Sequence, residues 1–582
     1  MNELTVSLDN QLIKVNPNST ILNVAKKHNI FIPTLCYLKD ALNLGKCGIC
    51  LVEIEYGNKK ELKRACCTKV KTGMKISTSS KNVINAIKSK ISNILSNHDF
   101  KCSKCNRKFD CELFKIVIRY KTGPKTKYIE SNISDSNYLD TRSKSIVINR
   151  HKCIKCGRCV TTCKSKTLTS SILLNHKNNR FILQTQNHKC LDESNCLLCG
   201  QCVSACPVDA LSERSHINRV ITALENPKKH VIVAIAPSVR ASIGEAFNMG
   251  YGIDVTGKLY TSLKILRFDK VFDLNFGADL TIIEESCELI KRIKNNGPFP
   301  MFTSCCPGWI RQVEKYFKEL IPNLSSTKSP QQIFGAATKT YYPHIMNMNP
   351  SDIFTVTIMP CTAKKFESER DDMDIEGINS IDAVLTAREL VKLIKNAKID
   401  FKNLEESTPD PAMGEYSGAG VIFGATGGVM EAALRTAKDF LENNEHLKTI
   451  DYSSIRGFNG IKEATVTLKE QNYNIAVING ASNVFKFMNS DKINKKQYHF
   501  IEVMSCEGGC INGGGHPHIN SNDRELINYK QLRSSVLYNQ DKNLSKRKAH
   551  ENEALIKMYK NYIGKPGNDL AHKIFHISYN KK

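Results

Sequence analysis

Two runs of the form C-x2-C-x2-C-x3-C constrain this chain more than any other feature. The first is Cys153, Cys156, Cys159 and Cys163, and the second is Cys196, Cys199, Cys202 and Cys206, followed by Pro207. Three closely spaced thiols wrap one small metal–sulfur core, and the fourth reaches past it to a neighbouring core. The spacing therefore predicts a bacterial two-cluster ferredoxin unit in which the runs exchange their last cysteine. Cys153, Cys156, Cys159 and Cys206 would hold one 4Fe–4S cluster, and Cys196, Cys199, Cys202 and Cys163 the other. The first run is followed by Lys164 rather than proline, and Cys190 lies outside both.

The other cysteines are unevenly spread. Seventeen of the 23 precede residue 210. The first residues, Met1 to Leu4, lack the basic-then-apolar order of a secretory signal, so a cytoplasmic location is expected. Clustered thiols in a reducing compartment read as metal ligands, not as a disulfide framework. With 582 residues, 41% of them hydrophobic, the chain has material for several domains. Its mean hydropathy is −0.32, and its longest apolar run, Val231 to Ala236, is strand-sized. A membrane span needs about 20 apolar residues. The formal charge of +26 counts every cysteine as neutral. Cluster-bound thiolates lower it, and the remaining positive balance suits an acidic electron carrier.

Ahead of the two runs, Leu4–Leu8 alternate as a half-buried strand, Asp9 and Asn10 can turn the chain, and Leu12–Val15 can return. Asn18 to Thr20 offer a cap for a helix from Ile21. A loop then carries Cys36, Cys47, Cys50 and Cys66. Strand, strand, helix and cysteine loop suggest a small ferredoxin module, although ten residues separate the first two cysteines, against four in the plant type. Zinc is the alternative occupant. Cys67 reads as a spare thiol. A helix over Val83–Leu95 precedes His98, Cys102, Cys105 and Cys111, a set able to bind iron or zinc. The polar stretch 121–145 reads as linker.

Past residue 213 strands and helices alternate. Val231–Ala236, Phe354–Met359 and Tyr473–Ile478 read as strands, and Thr281–Lys294 and Gly428–Leu441 as helices, giving α/β architecture with buried sheets. Four islands stand out: TSCCPGW from Thr303, MPCTAKK from Met359, MSCEGGC from Met504, and the triple glycine Gly513–Gly515. The first two put cysteines just past strands, where α/β folds gather their sites. The basic run Lys542–Lys548 reads as a solvated face, not a nucleic-acid site. The loop Gly424–Gly428 lacks the lysine of a phosphate-binding loop.

The islands TSCCPGW, MPCTAKK and EVMSCEGGC resemble the three signatures of the FeFe-hydrogenases, and the N-terminal cluster order resembles that family's monomeric, multi-cluster form. The resemblance implies an α/β catalytic domain with two lobes of β-sheet flanked by helices. Ahead of it would stand α+β iron–sulfur domains, a β-grasp 2Fe–2S ferredoxin and a bacterial two-cluster ferredoxin. The implied boundaries are 1–80 (2Fe–2S), 81–130 (His/Cys-ligated 4Fe–4S), 131–212 (two 4Fe–4S clusters) and 213–582 (catalytic). One 2Fe–2S cluster, three accessory 4Fe–4S clusters and an H-cluster follow. Cys306, Cys361, Cys506 and Cys510 would hold the H-cluster's 4Fe–4S part, and Cys510 would bridge to a diiron unit bearing CO, cyanide and azadithiolate. Protons would travel through Cys305, Glu285, Ser325 and Glu288, with Arg292 near the exit. Lys364 would donate to one cyanide, Pro237 and Ser238 would meet the other, and Gln331, Met359 and Phe423 would line the diiron pocket. The implied partners are ferredoxin or flavodoxin, H2 and protons, and the diiron maturation proteins, with neither nucleic acid nor membrane. Glu507, His516, Ala363 and Cys287 depart from the family pattern.

Two rival readings share parts of this sequence. Cluster-bearing subunits of respiratory NADH dehydrogenase and formate dehydrogenase resemble the first 210 residues, but would lack TSCCPGW. Non-catalytic relatives in iron–sulfur assembly or sensing keep ligand cysteines, but tend to lose the relay set retained here.

Overall fold

The computed structural model describes residues 3–39, 45–125, 138–177, 180–442, 451–491 and 497–579. Its first unit is a five-stranded sheet crossed by one helix. Strands β1 (Leu4–Leu8) and β2 (Gln11–Val15) form a hairpin turned by Asp9 and Asn10, whose φ angles of 47° and 68° suit the twist of paired strands. Thr20 caps α1 (Ile21–Lys27) by accepting from the Asn23 amide at 3.3 Å. Strands β3 (Leu51–Tyr56), β4 (Lys59–Arg64) and β5 (Lys75–Ser77) complete the order β2-β1-β5-β3-β4. Val6, Leu8, Leu22, Val52 and Ile54 fill the core. Every residue of β4 is exposed, and its lysines guard an open sheet edge against pairing.

Helix α2 (Lys81–Leu95), capped by Ser80, buries Val83, Ile87, Ile91 and Leu95. That spacing of four makes one stripe, which packs on α3 (Glu112–Tyr120) and on the ferredoxin unit that follows. There β6 (Leu139–Asp140) pairs with β7 (Ile146–Asn149). The C-terminal part of the polar stretch 121–145 is thus sheet rather than linker. Its polarity serves a tight turn, in which Arg142 donates to both oxygens of Asp140 at 3.0 and 2.7 Å. Residues 126–137 of that stretch lie outside the described residues. Helix α4 (Arg158–Thr167), the hairpin β8 (Ile172–Lys177) and β9 (Arg180–Thr185), α5 (Gln201–Ala205) and β10 (Leu211–Glu213) complete the unit. Both α4 and α5 start after a glycine in the left-handed region, Gly157 at φ 80° and Gly200 at 73°.

The catalytic part holds strands β11 (His230–Ile235), β12 (Lys270–Asp273), β13 (Met301–Phe302), β14 (Ile353–Met359), β15 (Ala383–Thr386), β16 (Ile461–Leu468), β17 (Gln471–Asn479) and β18 (Phe500–Met504). They form a parallel sheet β12-β11-β14-β15 and a mixed sheet β13-β18-β17-β16 in which only β16 and β17 pair antiparallel. Helix α6 (Leu274–Lys294) begins earlier than the periodicity suggests, because Asp273 caps it by accepting from the Asn275 amide. It is buried continuously from Leu274 to Ser286, as a helix enclosed between layers must be. Four loops leave the carboxyl ends of parallel strands from both sheets: Pro237–Ser238 after β11, Ser304–Cys306 after β13, Pro360–Cys361 after β14 and Ser505–Cys510 after β18. No helix among the described residues is long and apolar enough to cross a membrane.

Candidate active site

Cys306, Cys361, Cys506 and Cys510 are free thiols at the ends of these loops. They stand close enough to repel as thiolates: Cys361, Cys306 and Cys510 all push Cys506 up, and Cys306 and Cys361 push Cys510 up. Burial, then the neighbouring Cys306, raises the Cys361 thiol to about 12, so a bound metal would have to displace its proton. Room is made by glycine. A Cβ on Gly509, at φ 88°, would meet the Thr426 nitrogen at 2.6 Å, and one on Gly513 would meet the Pro360 carbonyl at 2.3 Å. An all-sulfur donor set of four suits an iron–sulfur core. Ser238, after β11, keeps a buried hydroxyl without a protein partner, an atom that a polar group on a bound cofactor satisfies. The residues fit an H-cluster.

One apolar cluster contains Cys305, Met359 and Phe423, with Cys306 and Cys510 packed against it. Pro237 and Ser238 are buried in a single 3-10 turn. Lys364 is engaged by protein: its ammonium donates to the Cys305 carbonyl at 3.1 Å, to Ser329 Oγ at 2.8 Å and to Glu367 at 2.8 and 2.9 Å. Gln331 donates to the Lys364 carbonyl at 3.0 Å and to Glu367 Oε2 at 3.1 Å, and accepts from Thr357 Oγ1 at 3.0 Å. Glu367, one helical turn beyond Lys364, was not singled out in the sequence. The signal was there, a lysine and a glutamate at i, i+3 in a helix whose lysines are buried.

From Cys305 a line of titratable groups runs outward along α6. Burial and the nearby Glu285 carboxylate push the Cys305 thiol well above its usual range. Burial, then the charge of Glu288, pushes Glu285 up to about 8 against the opposing influence of nearby Ser325, and neither of its oxygens is met at hydrogen-bonding geometry. Ser325 lies near Glu285, but its hydroxyl is directed at Glu288 Oε2, 3.1 Å away. Arg292 donates to Glu288 Oε1 at 2.6 Å. This i, i+4 pair is buried, with side-chain exposures near a tenth, so it is not a solvated helix edge.

The N-terminal cysteines fall into sets. Cys36 and Cys47 are mutually hydrogen-bonded neighbours, and Cys50 Sγ lies 3.3 Å from Cys66 Sγ, so the first four thiols stand as two pairs. Cys67 is exposed, 3.4 Å from Cys66. His98 is buried, which favours its neutral ring, and Nδ1 meets the Lys152 carbonyl at 3.0 Å, leaving Nε2 for a metal. His98, Cys102 and Cys105 all neighbour Lys152, which pairs with Asp209 at 2.6 Å, and Cys111 neighbours Cys105. Cys153, Cys156, Cys159 and Cys206 line one small cavity. Cys163, Cys196 and Cys199 all act on Cys202.

This second set abuts the catalytic loops. Gly514 packs on Gly200 so closely that a Cβ on Gly514 would meet the Cys199 carbonyl at 2.3 Å and the Gly200 Cα at 2.6 Å. Gln201 donates to the Asn512 carbonyl at 2.8 Å and approaches Cys506 Sγ at 3.4 Å, while Thr362 Oγ1 donates to the Leu198 carbonyl at 2.6 Å. Arg311, buried, holds the carbonyls of Cys196 and Asp192, each at 2.8 Å. Gly514 and Thr362 lie in islands the sequence marks, but none of these contacts was visible there, because each spans more than a hundred residues. Glu507 pairs with Lys166 of α4 at 2.8 Å and with Lys530 at 3.4 Å. His516 bridges Ser242 and the Cys510 carbonyl, each at 2.7 Å. The basic run from Lys542 to Lys548 is solvated at Lys542, but its later cations are tied to acids. Lys546 pairs with Glu415 and Glu553, Arg547 with Asp451 and Asp541, and Lys548 with Asp439.

Residues 229–514 match the C-terminal domain of the iron-only hydrogenase large subunit, and residues 527–582 match the iron hydrogenase small subunit. Residues 1–81 match a 2Fe–2S cluster binding domain, 82–122 an iron hydrogenase 1-like iron–sulfur centre-binding domain, and 152–210 a 4Fe–4S dicluster domain. The zinc alternatives raised for the first two cysteine sets give way to these iron–sulfur matches. Iron hydrogenase 1 of Clostridium pasteurianum is 58% identical over 99% of this chain and 100% of its own. The NADP-reducing hydrogenase subunit HndD of Solidesulfovibrio fructosivorans is 39% identical over the full length of both. The apo FeFe-hydrogenase HydA1 structure from Chlamydomonas reinhardtii superposes with a TM-score of 0.56 at 36% identity, covering 63% of this chain and 99% of that one.

Proposed function

The chain belongs to the iron-only hydrogenases, and from that premise we propose how its parts divide the work. It is an FeFe-hydrogenase, an oxidoreductase with an H-cluster domain preceded by 2Fe–2S and 4Fe–4S domains. When bound, the H-cluster supplies the iron site at which protons and electrons interconvert with H2. In this reading Cys306, Cys361, Cys506 and Cys510 are its protein ligands, and Ser238 and Lys364 approach its polar groups. Pro237, Gln331, Met359 and Phe423 wall it from water.

Reduced ferredoxin or flavodoxin is the electron donor, to a single chain in the cytoplasm. Cys36, Cys47, Cys50 and Cys66 would hold the 2Fe–2S cluster and His98, Cys102, Cys105 and Cys111 a 4Fe–4S cluster, and either would supply the entry point for electrons. Cys153, Cys156, Cys159 and Cys206 would hold one of the paired clusters and Cys196, Cys199, Cys202 and Cys163 the other, which the Gly200–Gly514 contact would set against the site. The units are 1–80, 81–130, 131–212 and 213–582. Protons pass between solvent and the site through Glu288, Ser325, Glu285 and Cys305, with Arg292 steadying Glu288. One observation carries the relay: Glu285 is fully buried with both oxygens unpartnered, between a buried thiol and a second carboxylate. A structural carboxylate would be hydrogen-bonded.

The deciding experiment uses protein co-produced with the diiron maturation proteins, handled without oxygen. H2 evolution from reduced ferredoxin, with infrared bands in the CO and cyanide region, is the expected result. Turnover with NADPH but not with ferredoxin would overturn the donor. Bands without turnover from any donor would overturn the proton path. Full iron–sulfur content with neither bands nor turnover would favour a non-catalytic role.

A further inference from the structure

The relay as read so far stops at Glu288, and Arg292 cannot extend it. A guanidinium does not release its proton in a protein. Its donors are also committed, to the Pro298, Asn323 and Leu324 carbonyls at 3.3, 3.2 and 2.8 Å and to Glu288 Oε1. The other oxygen of Glu288 points elsewhere. Oε2 accepts from the Ser326 amide at 2.9 Å and the Ser326 hydroxyl at 3.0 Å. Ser326 Oγ in turn lies 2.8 Å from His576 Nδ1, and His576 Nε2 lies 3.0 Å from Glu284 Oε2.

Glu284 is buried and held by Tyr559 Oη at 2.5 Å and the Gly567 amide at 2.9 Å. The C-terminal segment fixes the ring from its other side: Ile577 N donates to the Ser326 carbonyl at 2.8 Å, directly after helix α7 (Asp569–Phe575). Glu284, Glu288, Ser326, His572 and His576 share the wall of one outer cavity of about 400 Å³. The charged and titratable groups that line this cavity beside the ring are Glu284, Cys287, Glu288, Lys291 and Arg292 from α6 and His572 from α7, with Tyr559 behind Glu284.

We infer that His576, held between Glu284 and Ser326, exchanges protons between water in this outer cavity and Glu288. The inference rests on the relay reading given above. With Ser326 donating to Glu288, Nδ1 of His576 is the N–H that faces Ser326 Oγ, and a ring that takes up a second proton at Nε2 holds one on each nitrogen. In the inward step the Nδ1 proton moves to Ser326 Oγ as the Ser326 hydroxyl proton moves to Glu288 Oε2. Imidazolium and carboxylate become imidazole and carboxylic acid, with no electron transferred and no net charge created. Among the groups that face the cavity, histidine is the one whose ordinary acidity suits proton traffic near neutral pH. Its ring packs against His572 with centroids 4.1 Å apart and the planes tilted by 39°. That contact fixes the ring plane without completing a hydrogen bond.

The test compares the matured enzyme with His576→Gln, His576→Ala, Lys573→Ala and Cys305→Ala. Glutamine can donate its amide N–H to Glu284 or to Ser326 Oγ, so it keeps a hydrogen bond to the C-terminal segment but cannot carry the proton. Both His576 variants are expected to evolve H2 about 100-fold more slowly, a typical loss for a positioned acid–base group. CO and cyanide infrared bands should be intact, and added imidazole should restore His576→Ala. Lys573→Ala, on the exposed face of α7, should be unaffected. A second readout is independent of turnover: the rate at which the infrared carbonyl band of protonated Glu285 shifts after transfer to D2O. It should slow in His576→Gln. Wild-type turnover and exchange in both His576 variants, with Cys305→Ala inactive, would overturn this inference and leave the relay standing. A slow His576→Ala beside a normal His576→Gln, with no imidazole effect, would reduce His576 to a structural pin and also overturn it. A fully active Cys305→Ala would remove the relay and this extension together.

Discussion

Both carboxyl oxygens of Glu285 are buried without a partner, and the charge of Glu288 stands close by. Both effects disfavour the carboxylate, so the group is a neutral acid below about pH 8 and ionises only above it. In the difference spectrum between wild type and Glu285→Gln, the carbonyl band of a protonated acid is therefore expected at pH 6 and 7. It should vanish as the pH rises through about 8. A band that persists to pH 10, or is missing at pH 6, would contradict the burial argument. Cys305 makes the complementary case. It is buried, protonated and next in sequence to Cys306, the proposed ligand, yet its own carbonyl is what Lys364 holds. Cys305→Ala removes one S–H and little volume. It should lower H2 evolution by about 100-fold or more while iron content and the CO and cyanide bands persist. The sequence alone could not rank these residues. A glutamate on a helix wheel at the edge of an apolar stripe is more often solvated, and only the layers packed around α6 exclude water from Glu285.

Elements were more legible than contacts. Asp9–Asn10, the Thr20 cap and the spacing of Val83, Ile87, Ile91 and Leu95 are local signals, and each produced the expected element. The strands β11, β14 and β17 were readable because a continuous apolar run of strand length can be buried on both faces. What stayed hidden was how the elements join. The start of α6 was missed because its first turns are apolar or small all round and show no amphipathic edge. The seam between the ferredoxin unit and the catalytic loops was missed because its makers, Gly200 and Gly514, have no side chains to pattern. That seam gives a prediction at this scale. Gly514→Ala drives a methyl into the Cys199 carbonyl and the Gly200 Cα, and backbone cannot rotate away. It should destabilise the seam by about 1–3 kcal/mol, as overpacking does. The thermal midpoint should fall, and ferredoxin-driven turnover should fall more than turnover with small reduced dyes. An equal loss with both donors would mean that the seam is not on the electron path.

At the scale of the whole molecule, charge and cysteine have to be read together. The formal +26 is an upper figure, since it leaves every thiol neutral. Much of the remaining basic charge is committed: Arg435, Arg547 and Lys548 are tied to Glu431, Asp541 and Asp439. The lysines of β4 are exposed on the edge of the 2Fe–2S sheet, where Lys60 and Lys63, themselves solvent-facing, pair with Glu53 and Glu61. An acidic carrier docking there gains rate from long-range attraction, and salt screens that attraction beyond about 10 Å at 0.1 M. kcat/KM for ferredoxin should accordingly drop by about tenfold between 20 mM and 0.5 M salt. Turnover with a cationic dye should not drop, and a salt-independent ferredoxin rate would place the docking surface elsewhere. The contact between Gly200 and Gly514 has one more consequence. Side chains hop among rotamers within nanoseconds, and any gap they fill widens and narrows with them. Here α-carbon and carbonyl meet α-carbon, and the side chains beside them, Gln201 and Thr362, are each held by a hydrogen bond to backbone. The separation of the two redox modules at this point is therefore set by backbone contact and pinned side chains, so thermal noise in that gap is low.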